Sequence, residues 1–180
     1  SIQPVTVKVI YMKPMYYDYP DEWDAYAVKN QYYFGTELIV APITSKCIEG
    51  VNDSKKLSEK KRELLYDKIM EEALAVGVGI SNVDVIEKVN ILNATKLAMV
   101  NAIKNLKTRP DYVLVDGNQK IDIDIEQETV VSGDAKSESI AAASIIAKVT
   151  RDRILYEYDK IYPEYGLSKH KGYGTKVHIE

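Results

Sequence analysis

At 180 residues, with 46% hydrophobic and 28% charged side chains, the chain has the make-up of one ordinary globular domain rather than a disordered one. No apolar run approaches the ~20 residues of a membrane span, and the opening SIQPVTVKV lacks the basic end and apolar stretch of a signal peptide, so a cytoplasmic protein with no membrane partner is expected. A net charge of −3 exerts no global pull on nucleic acid, and the single cysteine, Cys47, excludes an internal disulfide.

Strand-like runs occur at Val5 to Tyr11 and at Thr36 to Ile43. Half of the 14 tyrosines, the only Trp (Trp23) and the only Phe (Phe34) fall before Lys46, and an Ala/Ile/Lys-rich remainder follows. That shift fits a chain of two sources, and equally an uneven core. Ser58 is placed to cap a helix carrying Leu64, Leu65, Ile69 and Ala73 at three- and four-residue spacing, with Lys60, Lys61, Arg62 and Glu63 as its solvated face. Ala75 to Ile80, rich in Val and Gly, predicts a strand.

A second helical region spans roughly Val83 to Leu106, with Leu92, Met99, Ala102, Ile103 and Leu106 on one stripe and a break near Asn90. Pro110 enforces an exit, and Tyr112 to Val115 predicts a buried strand that ends at Asp116 and Gly117. Lys120 to Ile125 alternates as KIDIDI, which predicts an edge strand with Asp122 and Asp124 facing water. The alternation explains those two aspartates without a metal. The helix from about Ser137 to Tyr162 opens with IAAASIIA, apolar on nearly every side, and turns amphipathic after Lys148. Its first turns are therefore expected to be buried and its last exposed. Strands alternating with helices predict a mixed α/β architecture.

Asp116 and Asp134 each stand at the edge of a regular element, Asp134 in a Ser-Gly-Asp turn before the long helix. Carboxylates converging from separate elements can hold a hard divalent cation such as Mg²⁺, and the same residues serve equally as turn and cap residues. Near the end, Lys169, His170, Lys171 and Lys176 surround Tyr173 with Gly172 and Gly174. The segment suits phosphates, or forms a solvated loop. His170 and His178 are too isolated to read as metal ligands.

From about Cys47 to Glu180 the chain resembles ribonuclease HII. The motifs are GVNDSKKLSEKKRELL, NILNATKLAM, PDYVLVDG, GDAKSESIAAASIIAKVTRDR and YPEYGLSKHKGYGTK, in the family's order. The resemblance implies the ribonuclease H fold, a mixed five-stranded sheet flanked by helices. In it the strands near the chain start are antiparallel and the strand ending at Asp116 runs parallel to the first. It implies cleavage of the RNA strand of RNA–DNA hybrids, or of DNA containing ribonucleotides, by two Mg²⁺ or Mn²⁺ ions about 4 Å apart. Asp116 and Asp134 match the third and fourth of the family's carboxylates. Lys55 matches a lysine beside the hybrid's backbone, Tyr173 the tyrosine that reads the ribose 2′-hydroxyl, and Lys171 joins them as a substrate contact.

The chain departs from that pattern at its start. The family's first strand bears an Asp-Glu-Ala-Gly-Arg-Gly motif, which supplies the first two carboxylates and a phosphate-gripping loop. No such string occurs in these residues. In its place YMKPMYYDYPDEWDAYAVKNQYYFGTELIVAPITSK resembles a stretch of family-31 glycoside hydrolases that lies beyond their catalytic pair, so no sugar chemistry is expected from it. A chimera joined near Ser45 to Ile48 is expected. Residues 1–46 would then be a glycosidase-like fragment supplying the first strands and 47–180 a ribonuclease HII-like core, together one compact domain. Asp18, Asp21, Glu22 and Glu37 are early enough to stand in for the missing pair, but the glycosidase resemblance already accounts for them.

Weak or absent hydrolysis is therefore expected. The alternative is a non-catalytic chimera made for folding, with at most weak, salt-dependent nucleic-acid binding. The family continues past VHIE with a further helical segment, whose loss is expected to weaken affinity. The grafted strands are expected to leave a sheet edge through which two copies could pair.

Overall fold

The computed structural model describes residues 6–9, 37–44, 48–81 and 83–170. Five strands form one mixed sheet in the order β3-β2-β1-β4-β5. They are β1 (Thr6–Val9), β2 (Glu37–Thr44), β3 (Ala73–Ser81), β4 (Tyr112–Asp116) and β5 (Glu126–Val130). β1 and β3 both run antiparallel to β2, whereas β1, β4 and β5 are mutually parallel neighbours. This is the sheet that the motif resemblance implies, including the parallel pairing of the Asp116 strand with the first strand.

The helix α1 (Glu59–Glu72) starts where Ser58 accepts the amide of Lys61 at 3.3 Å. The hydroxyl thereby satisfies one of the donors that a helix start leaves unpaired. α1 passes directly into β3 at Ala73, whose extended backbone (φ −70, ψ 135) ends the helix. Leu65 and Ile69 of α1 are buried with Ala142, Ala143, Ile145 and Ile146 of α5 (Glu138–Ile161). Val76 and Val78 of β3 pack against this layer.

The opposite face of β3 carries Ala75, Gly77, Gly79 and Ser81, all buried. There the sheet meets α3 (Ile91–Lys104) so closely that a Cβ at Gly77 would lie 2.0 Å from the Ala102 carbonyl oxygen. One at Gly79 would lie 1.9 Å from the Ala98 oxygen, so only glycine permits this approach. α3 buries Ala98, Met99, Ala102 and Ile103 against Val113 and Val115 of β4. The sheet is thus sandwiched between α3 on one face and α1 with α5 on the other.

The helical region before β4 breaks at Asn90, as the sequence predicts. α2 (Val83–Val89) stops there, Asn90 takes φ 65, and its side chain accepts the Asn93 amide at 3.0 Å to start α3. Leu92 leaves the predicted stripe and is 45% exposed, because it lies in the first turn of α3.

Three further expectations are corrected. The KIDIDI segment is not the edge strand. The strand is Glu126–Val130, and Ile121, Ile123 and Ile125 instead pack on the core around α3. Gln127 holds that segment by donating to the Ile121 carbonyl and accepting its amide, both at 2.9 Å. Asp122 and Asp124 do face water. Arg62 is not on the solvated face of α1: it is 9% exposed, with its guanidinium turned inward. Asp134 lies in a short helix, α4 (Gly133–Lys136), rather than in a turn.

The long helix α5 matches expectation at both ends. Ser137 caps it by accepting the Ile140 amide at 3.4 Å, and every residue from Ile140 to Ala147 is buried. Beyond Lys148 only Val149, Asp152 and Leu155 turn inward. Among the described residues no helix is long and apolar enough to cross a membrane.

Candidate active site

β4 delivers Asp116 to the C-terminal edge of the sheet, with Val130 of β5 as its registered neighbour. Gly117 follows at φ +117, a left-handed conformation that lets the chain turn at once, and its amide donates to the Val130 carbonyl at 3.0 Å. Fourteen residues on from Gly117, the chain returns through Val131 and Ser132, the latter at φ 56. The Gly133 amide then donates to Asp116 Oδ1 at 2.8 Å. Gly133 is required here, because a Cβ would fall 2.3 Å from Ile140 Cδ1 and 2.9 Å from Asp116 Oδ1. Asp134 is the next residue, so the structure brings the two predicted carboxylates to one end of the sheet, both half-buried.

A third carboxylate, missed in the sequence, stands at the start of α5. Glu138 Oε1 accepts the Ile48 amide and so ties the segment leading into the 49–57 loop to the helix that follows Asp134. Its position four residues after Asp134 was the available signal. That oxygen is committed to an amide, which makes Glu138 a brace for the segment.

The fit of a two-metal centre can be judged on this donor set. Mg²⁺ demands six oxygens in near-octahedral array, and two ions in hydrolytic sites share several carboxylates. Among the described residues no group of three or more His, Cys, Asp or Glu side chains is placed to hold a metal. β1 lies beside β4 with Val9 opposite Val115, yet Thr6–Val9 contains no acid, and the first acid in the chain is Asp18. The described residues therefore do not furnish a two-metal centre.

Lys55 lies on the loop between Ile48 and α1, and its side chain is exposed. Its amide donates to Asp53 Oδ1 at 2.9 Å. Lys171 and Tyr173 lie outside the described residues, as do Asp18, Asp21 and Glu22. The residue whose role the sequence reading missed most clearly is Arg62. Its spacing to Leu65 and Ile69, three and seven residues on, places it on the buried stripe of α1 and was the signal available.

Two pKa shifts fall away from this edge, at the other end of β4 and along α5. Tyr112, at the start of β4, is raised above its ordinary value of 10.0, first by burial, then by its hydrogen bond to Glu128 at 3.1 Å and by the charges of Glu128 and Glu126. Arg153 is raised by its bond to Glu63 at 2.5 Å, with burial opposing, and its guanidinium lies 4.2 Å from the Tyr66 ring centre. These contacts lock α5 onto α1.

Comparison with known proteins points to one family for most of the chain. A ribonuclease HII family model matches residues 39–180, and one for the C-terminal domain of family-31 glycosyl hydrolases matches residues 8–61. The ribonuclease HII of Clostridioides difficile (strain 630) is 62% identical over 133 residues, covering 74% of this chain and 52% of that protein. That of Endomicrobium trichonymphae is 54% identical over 144 residues, covering 79% of this chain and 68% of that protein. The chain spans about half the length of the first of these relatives. A ribonuclease H2 from Pyrococcus horikoshii OT3 superimposes with a TM-score of 0.71 at 22% identity, over 95% of this chain and 81% of that one. The ribonuclease HII solved in complex with PCNA from Archaeoglobus fulgidus superimposes with a TM-score of 0.68 at 21% identity, over 97% and 82%. At such identities the superpositions speak to the fold.

Proposed function

Because this chain belongs to the ribonuclease HII family, we propose that it carries that family's scaffold for cutting the RNA strand of RNA–DNA hybrids and of DNA containing ribonucleotides, with hydrolysis weak or absent in these 180 residues. The observation that supports the reading is the Gly133 amide on Asp116 Oδ1 at 2.8 Å, which ties the start of the segment carrying Asp134 to the end of β4. In this reading Asp116 and Asp134 are the surviving half of a carboxylate set for Mg²⁺ or Mn²⁺, and Lys55, Lys171 and Tyr173 are the substrate contacts. The missing half is the reason for weakness: a 1 Å misplacement of a reacting group already costs about 100-fold.

The test is incubation with a DNA duplex carrying one ribonucleotide, with Mg²⁺ and then Mn²⁺. Little or no nicking is expected. Robust cleavage at the ribonucleotide, lost in Asp116→Asn and Asp134→Asn, would overturn the expected impairment.

A second reading is favoured by the overlap of the two family matches over residues 39–61. It makes the chain a non-catalytic chimera, with residues 1–46 from a glycosidase-like source and 47–180 from the nuclease, folded as one compact domain. Copies could then pair through sheet edges, and the protein would be cytoplasmic. One uninterrupted natural gene in the source DNA would remove laboratory joining as the origin.

A further inference from the structure

We propose that Arg62 and the Ser54–Ser144 pair are positioning residues that hold residues 53–57 as a fixed docking loop, presenting Lys55 and Lys56 to the phosphates of a nucleic acid. The inference rests on the nucleic-acid reading given above. It adds Lys56 as a contact and names the machinery behind both lysines.

Six backbone groups along this short loop have a partner: the amides of Asp53, Lys55 and Lys56 and the carbonyls of Asp53, Ser54 and Leu57. The Asp53 side chain accepts the Lys55 amide at 2.9 Å, and its carbonyl accepts the Lys56 amide at 3.0 Å. Arg62 reaches back from α1 and donates through Nη1 to the carbonyls of Ser54 at 3.0 Å and Leu57 at 2.5 Å. Ser54 Oγ lies 2.9 Å from Ser144 Oγ, both buried, which fastens the loop to α5 across 90 residues of sequence. What the loop leaves in water is the pair of lysine side chains.

The means of fixation is informative. Burying a guanidinium is expensive unless its donors are satisfied, and Arg62 Nε has no partner among the described residues. An apolar side chain on this stripe would serve packing better. What Arg62 supplies is a forked donor that fixes two carbonyls of one loop at once, the kind of support that holds a binding group in place before its ligand arrives. Two cations on a fixed backbone meet an anionic polymer at a smaller ordering cost than two on a mobile loop.

The same helix joins the loop to the acidic site. At 1.5 Å per residue, Ser144 lies about 9 Å along α5 from Glu138. The lysines therefore serve phosphates displaced from the Asp116–Asp134 edge, and their role is grip and register.

The experiment measures binding of the full chain to a fluorescein-labelled DNA duplex carrying one ribonucleotide, by fluorescence anisotropy in EDTA across a salt series. Lys55→Ala/Lys56→Ala is expected to weaken binding and to make the log–log salt slope shallower by about 1.8, about 0.9 for each lost phosphate contact. Arg62→Lys and Ser144→Ala preserve every charge. Each is expected to weaken binding by at least half as much, on the logarithmic scale, as the lysine pair does. In the lysine-free background Ser144→Ala is expected to have no further effect, which separates positioning from general loosening.

Far-UV circular dichroism confirms folding, and if Arg62→Lys fails to fold, Ser144→Ala decides alone. Wild-type binding in Ser144→Ala, or an effect of it that persists without the lysines, overturns the positioning role. An unchanged salt slope in the lysine pair overturns the docking loop while duplex binding by the parent chain stands. No binding by the parent chain overturns both the loop and the function it rests on.

Discussion

Gly133 decides how Asp116 is held. Its amide reaches Asp116 Oδ1 only because no side chain stands in the way, and the neighbouring Ile140 is fully buried and has no room to yield. Gly133→Ala is therefore expected to destabilise the fold by about 1–3 kcal/mol, the usual cost of overpacking a filled site. Urea denaturation reads this directly as a lower midpoint at unchanged slope.

At this scale the sequence was legible where one residue type answers one need. Ser58 as a helix cap, Asn90 as a break and Asp116 as a strand end were all readable from local chemistry. Arg62 was not, because its charge argued for solvent while its spacing argued for the core, and only the loop carbonyls that it meets resolve the conflict. Glu138 was hidden for the same reason, since its partner, the Ile48 amide, lies 90 residues away.

Among the elements, β5 shows how an alternating pattern misleads. KIDIDI has the period of a strand, but Ile121, Ile123 and Ile125 reach the core as irregular chain, while the hydrogen-bonded ladder falls to the polar EQETV. Pairing with β4 selects the ladder, and pairing is non-local information that periodicity lacks. Tyr112 and Glu128 join these two strands through side chains, and this contact has a pH signature. The folded state holds the Tyr112 phenol above its usual 10.0, so the stabilisation is complete below pH 10 and declines as pH rises through the raised value. Denaturant unfolding at pH 9 and pH 11 is expected to show a smaller alkaline loss for Tyr112→Phe than for the parent chain. Equal losses would show that the contact contributes nothing.

For the whole molecule, the arrangement of the sheet came from resemblance, not from residue patterns. Nothing in Val5 to Tyr11 or Thr36 to Ile43 names its neighbour, yet β1 and β2 take interior places in the five-stranded sheet. β2 pairs with β3 from Glu37↔Ser81 to Thr44↔Ala73, with one irregularity at Ile43/Thr44. The order of the strands is set by pairing between distant segments, which residue patterns within one strand do not carry.

The helix α1 runs into the edge strand β3 without a single linking residue. Neither can fray or rotate without dragging the other, so the two are expected to open as one cooperative unit. Native-state amide hydrogen exchange on the buried positions of both, Leu65 and Ile69 in the helix and Gly77 and Gly79 in the strand, would then report a common opening free energy. Clearly separate values would show that the junction bends as a hinge.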